Sequence, residues 1–254
     1  MTRILAVARN TFREAVRDKV LYVLLFFAAV SIFGSKALGW ISIGQDIKIV
    51  KDIALAATSI FGVLVAIFIG TSLVYKEIDK RTLYTIISQP MHRWEFLLGK
   101  YLGLVGILAV VTIVMTGVSS VYVLILGGSL EGIFFLAVLL IFWKLLLVTA
   151  LSLLLSSLTS PILGAIIVFS AYLFGHATGV FLDLPPQFDG TFAEKALQIA
   201  YYVIPNLSNF DLRAEAANGI PVSGAYVAWV LLYGLAYTVV LLILAALAFE
   251  EKDV

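Results

Sequence analysis

The chain has 254 residues, of which 62% are hydrophobic and 13% charged, with a formal net charge of +1. That much apolar side chain exceeds what one soluble core buries and points to an integral membrane protein, and the small net charge leaves no nucleic-acid footprint. The chain has no cysteine, which excludes disulfides, thiolate metal sites and cysteine nucleophiles.

The opening stretch, MTRILAVARNTFREAVRDKV, is too long and too charged before the first apolar run for a cleavable signal peptide. Ile4, Ala8, Phe12, Ala15 and Val16 recur at three- and four-residue spacing, and Arg9, Arg13 and Arg17 form a basic stripe beside them. Residues 1–19 therefore read as an amphipathic interfacial helix, with its apolar face at the headgroup boundary and its arginines toward anionic lipid or a cytosolic partner.

Six apolar runs follow, each near the ~20 residues a bilayer-crossing helix needs: Val20 to Ile43, Ile53 to Tyr75, Tyr101 to Leu126, Ile133 to Leu158, Pro161 to Leu182 and Ala225 to Phe249. Six spans put both termini on one side. That side holds eleven of the seventeen Lys and Arg residues, the other holds Lys36, Lys48, Lys51, Lys195 and Arg213, and Lys144 falls within a span. Basic residues in short loops stay in the cytoplasm, so both termini and the connector from Lys76 to Lys100 are expected there. No repeat or composition shift marks a second domain, and one membrane domain over residues 1–254 is the simplest reading.

The cytoplasmic connector runs KEIDKRTLYTIISQPMHRWEFLLGKYLG. Glu77 and Asp79 are expected to open a short helix with Leu83, Ile86 and Ile87 on its apolar face, since acidic groups favour the positive end of a helix dipole. Pro90 ends that helix and suits the first turn of the next one, which leads through Trp94 and Phe96 into the third span. On charge and periodicity alone, the stretch is either a solvated positive-inside connector or a docking element for a soluble partner.

Within the spans, Lys144 sits near the middle of the fourth, where a charge costs at least ~2.5 to 3.5 kcal/mol and faces protein or water. It is either a structural group or, with Thr149 and Ser152, a candidate lining of a pathway, although its helix face lies about 115° from the stripe of Thr149, Ser152 and Ser156. No acidic residue stands at matching depth in any span. His176 reads as a packed helix residue, because no second ligand stands at helical spacing. Small residues recur as Thr58, Gly62, Ala66 and Gly70 in the second span and as Gly175 and Gly179 in the fifth, marking candidate packing or dimer seams. Tyr226, Tyr233 and Tyr237 in the sixth read as packing residues. The external connector, 183–224, carries Pro185, Pro186, Pro205 and Pro221 and a helical run from Phe192 to Val203.

After the second span come an acidic pair (Glu77, Asp79), a Thr-Leu (Thr82, Leu83), a proline (Pro90), an Arg-x-Glu (Arg93, Glu95) and a Gly-Lys (Gly99, Lys100). That ordered set resembles the signature of type-2 ABC exporter permeases. The form DKRTLYTIISQP, with Arg81 where many members have glycine, and the external IPNLSNFDLRAEAANG resemble the NosY-like branch associated with multicopper-enzyme maturation. The resemblance implies an all-α polytopic bacterial inner-membrane permease with six transmembrane helices. It implies a dimer with a second permease copy and two copies of a separate ABC ATPase carrying ATP and Mg, and it leaves room for a periplasmic accessory protein. Glu77, Asp79, Arg81, Thr82, Leu83, Pro90, Arg93 and Glu95 would form the ATPase-coupling region within residues 76–100, and the external connector would form short capping helices. The chain itself is then not an enzyme and holds no cofactor: Gly99-Lys100 lacks the upstream glycine and following Ser or Thr of a phosphate-binding loop.

Two alternatives stay open beside this reading. A secondary transporter driven by an ion gradient would need a carboxylate in the spans, and none is present; a membrane anchor that docks a cytosolic protein would not. Copper, a sulfur species, a lipid, a peptide or a glycolipid would each be a compatible substrate, because the three methionines, Met1, Met91 and Met115, are scattered and form no metal-favouring cluster.

Overall fold

The computed structural model describes residues 2–39, 45–79, 92–177 and 204–250. Among them the chain is helical and without strands: α1 (Thr2–Val16), α2 (Lys19–Gly39), α3 (Asp46–Asp79), α4 (Arg93–Ile125), α5 (Gly132–Leu158), α6 (Pro161–His176), α7 (Arg213–Asn218) and α8 (Gly224–Glu250). Backbone groups in hydrocarbon must bond within their own segment, so runs this apolar fold as helices.

Five described helices, α2, α3, α4, α5 and α8, are long and apolar enough to cross a membrane. The chain is an all-α, polytopic membrane protein. The fifth run, expected to reach Leu182, is described as α6 only through His176. Its sixteen residues rise about 24 Å, short of the ~30 Å hydrocarbon core.

The boundaries near the connector differ from the expected ones. Glu77 and Asp79 do not open a separate helix: α3 continues through them to Asp79. The next helix begins at Arg93 rather than Pro90, because His92 is extended and its backbone N–H donates to Glu95 Oε2 at 3.1 Å, which closes the first turn of α4. The residues between, Arg81, Thr82, Leu83 and Pro90 among them, lie outside the described residues, as do Gly179 and the run from Phe192 to Val203.

Helices α3 and α5 form the centre of the bundle, with α2, α4 and α6 packed on α3, and α4, α6 and α8 on α5. Their seam is built from the small residues of α3. A Cβ on Gly62 would meet Leu145 at 2.8 Å, and one on Gly70 would meet Ser152 Cβ at 2.8 Å, while Ala66 between them is fully buried. The stripe thus seats α5 within the same chain. Ser156 Oγ donates to the Thr71 carbonyl at 2.8 Å farther along that seam.

Helix α1 turns its apolar face onto α4. Gly99, Gly103 and Gly106 make the groove: a Cβ on Gly99 would touch Val7, and one on Gly103 would meet the Ala8 carbonyl and Thr11 Cβ, both at 2.6 Å. Thr11 and Ala15 are buried there, and Arg9, Arg13 and Arg17 stay exposed on the opposite face. Two glycines take left-handed backbone where the chain turns sharply, Gly127 (φ 80°) after α4 and Gly219 (φ 68°) after α7.

Candidate functional site

Lys144 is 1% exposed, halfway along α5. Its ammonium donates to Ser59 Oγ on α3 at 2.7 Å and faces His176 Nε2 on α6 at 3.4 Å. His176 Nδ1 lies 3.1 Å from the Tyr172 carbonyl. A carbonyl only accepts, so Nδ1 carries the ring proton and Nε2 offers its lone pair to Lys144. The Tyr172 ring, 5.9 Å from the ammonium, adds a cation–π contact. One buried cation therefore ties three helices through neutral partners, and among the described residues no carboxylate lies within 4 Å of it.

Among the described residues, the opposing charge that acts on Lys144 comes from Asp211, in the chain between α6 and α8. The Leu207 N–H donates to the Gly175 carbonyl at 2.8 Å, which pins residues 204–212 to the end of α6. A Cβ on Gly175 would strike the Pro205 carbonyl at 2.7 Å, so only glycine allows this approach. A short 3-10 turn, Ser208–Phe210, places the fully buried Phe210 ring against Gly234, which Trp143 also touches. Gly234 lies about ten residues, or ~15 Å, inside the first residue of α8. The segment is therefore inserted into the bundle at the level of Trp143 and Lys144. Hydrogen bonds fix it there: the Asn206 N–H donates to the Tyr233 hydroxyl at 2.8 Å, and the Tyr226 hydroxyl donates to the Asn209 carbonyl at 3.0 Å.

At the end of this segment Arg213 grips Asp211 in a two-pronged pair, with Nε to Oδ1 at 2.8 Å and an η nitrogen to Oδ2 at 2.7 Å. Burial alone would raise the Asp211 carboxyl, but the hydrogen bonds and charge of Arg213, with Lys144 adding a weaker field, hold it below the usual carboxylate range. The hydrogen bond to Asp211 in turn raises Arg213.

Thr149 and Ser152 do not join this cluster. Their hydroxyls donate back to the Leu145 and Val148 carbonyls, and Ser152 packs on Gly70 in the α3–α5 seam. Ser59, His176 and Tyr172 reach Lys144 from other helices, and Asp211 and Arg213 act on it from a connector, so no periodicity in the sequence groups them.

A second junction forms where α1, α4 and α8 meet. Arg93 donates through one η nitrogen to the Phe249 and Glu250 carbonyls at 3.1 and 3.0 Å, capping the last turn of α8. Phe96 stacks on Phe249 with ring centroids 6.0 Å apart. Lys100, 1% exposed, lies 5.5 Å over the Phe96 ring and 3.7 Å from Glu14 Oε2 of α1. Four positions of the sequence signature thus have definite structural work: Glu95 closes the start of α4, Arg93 holds α8, and Gly99 and Lys100 seat α1. Glu77 and Asp79 form the last turn of α3.

The model of the ABC-2 family transporter proteins matches residues 5–254. The chain is also 28% identical over 131 residues to a protein of Pseudomonas aeruginosa described as a probable ABC transporter permease protein NosY. That match covers 50% of this chain and 47% of the relative, so the chain spans about half the length of the curated relative it matches. With a family match over nearly its whole length, on a helical bundle whose signature residues root three helices at one end, the chain belongs to the ABC-2 family of transporter proteins.

Proposed function

We propose that this chain is the permease subunit of an ATP-binding cassette transporter, forming the transmembrane pathway while a separate subunit hydrolyses ATP. Two permease copies and two ATPase copies make the complex, with ATP and Mg held on the ATPases. The complex sits in the bacterial inner membrane with both chain termini in the cytoplasm, as the distribution of basic residues favours. The probable NosY permease supports the same assignment by its description.

One observation carries the coupling part of this reading. The connector returns to the bundle at Arg93, and within eight residues α4 grips the end of α8 through Arg93 and the flank of α1 through Gly99 and Lys100. A displacement of residues 76–92 by a docked ATPase would then move α1, α4 and α8 together rather than dissipate in a loose loop. Glu77, Asp79, Arg81, Thr82, Leu83 and Pro90 form the docking element, and Arg93 and Glu95 anchor it. The Lys144 junction and the inserted segment 204–212 obstruct the interior, and their rearrangement opens the pathway to a substrate that is exported.

Purification of the tagged chain from native membranes tests the assignment. An ATP-hydrolysing subunit in the purified complex supports it, and a stable chain that never brings one down contradicts it.

A further inference from the structure

A cleft of about 690 Å³ opens at the end of the bundle opposite α1, between the last turn of α2, the first turn of α3, the α4–α5 turn and α7. Its volume lies in the range of small-ligand sites. Lys36, Lys48 and Lys51 line it together with Asp46 and Glu131. Lys51 is buried and pairs with Glu131 at 4.0 Å, and Lys48 donates to Asn218 Oδ1 at 3.2 Å. Among the described residues no carboxylate lies within 4 Å of Lys36 or Lys48. The start of α3 adds the positive end of a 34-residue helix to the same wall.

Three of the five basic residues on the less basic side of the chain thus converge on one cleft, although basic residues there work against the topology rule. Apart from α7, the lining segments are ends of membrane helices or the turn that joins two of them, which sets the cleft at headgroup depth. Directly below it the surface becomes apolar: Phe33, one turn before Lys36, and Val121, Leu124 and Ile125 at the end of α4 are all exposed. The Tyr122 hydroxyl donates to the Phe33 carbonyl at 3.0 Å, so α2 and α4 make one continuous wall beneath the lysines.

We infer that this cleft holds the phosphate of an anionic phospholipid, with Lys36 and Lys48 on the headgroup and the acyl chains along the wall of α2 and α4. A soluble anion would use the lysines but not the apolar wall, and a zwitterionic phospholipid would use the wall but set its own choline cation against the lysines. The inference needs only that the chain spans a bilayer and is independent of ATP coupling.

Native mass spectrometry of the full chain in detergent, titrated with phosphatidylglycerol or phosphatidylcholine, tests it. Phosphatidylglycerol is expected to be retained over phosphatidylcholine. The Lys36→Gln/Lys48→Gln variant should weaken that retention roughly tenfold or more, and Lys36→Arg/Lys48→Arg should keep it. Lys36→Gln alone removes no described hydrogen bond, so it keeps the test decisive if the double variant fails to fold. Equal retention of both lipids, or unchanged retention in the Gln variants, overturns the inference. So does inorganic phosphate if it protects the wild type against thermal unfolding as strongly as phosphatidylglycerol does.

Discussion

Lys144 on α5 donates a 2.7 Å hydrogen bond to Ser59 on α3, and both residues stand near the middle of their membrane helices. Removing the acceptor leaves a buried ammonium short of a partner, whereas removing the ammonium leaves neutral groups that bond elsewhere in their own helices. Ser59→Ala should therefore destabilise the fold by about 1–3 kcal/mol, and Lys144→Met by less. Thermal unfolding in detergent ranks the two. The opposite order would mean that the ammonium holds the bundle together rather than burdening it.

The glycine groove on α4 makes a separate prediction. A side chain at Gly103 collides with the Ala8 carbonyl, which is backbone and cannot swing aside. Gly103→Val should lift α1 off α4 at a cost of about 1–3 kcal/mol. Limited trypsin digestion reads the change, with cleavage after Arg13 and Arg17 accelerating while the spans stay protected. Unchanged cleavage would place the attachment of α1 elsewhere.

Arg93 caps α8 across a large sequence gap. Arg93→Ala should expose the Phe249 and Glu250 carbonyls, cost about 1 kcal/mol and speed hydrogen exchange in the last turn of α8. Arg93→Lys should recover part of that protection, since a lysine also donates but lacks the planar fork.

Much of the fold was legible in the sequence because apolar runs answer to one physical rule, the thickness of hydrocarbon. The small stripe Gly62, Ala66 and Gly70 was visible too, since close helix approach demands it. Partners that come from separate helices were not. His176 looked isolated because its partner lies thirty-two positions away on α5, and Asp211 and Arg213 looked external because a connector's depth leaves no periodic trace. The dock of α1 was hidden for a different reason: Gly99 belongs to the connector signature and Gly103 and Gly106 to a span, so the continuous groove did not stand out as one feature.

Acid should act on the inserted segment through Asp211. A carboxyl held below its ordinary value stabilises the fold at every pH above the ordinary carboxylate range and loses that contribution as pH falls through the lowered value. The difference in thermal midpoint between wild type and Asp211→Asn should be full at pH 7 and shrink in strong acid, below about pH 4. A difference that stays constant, or grows on acidification, would remove the Arg213 pair as its source.

The most direct test of the coupling account is co-purification of the permease with an ATP-hydrolysing subunit from native membranes, wild type against Glu77→Lys/Asp79→Lys. The wild type should bring down the ATPase, and the charge-reversed chain should lose it while keeping its own thermal midpoint. Equal recovery of the ATPase by both chains, or none by the wild type, would contradict docking at this connector.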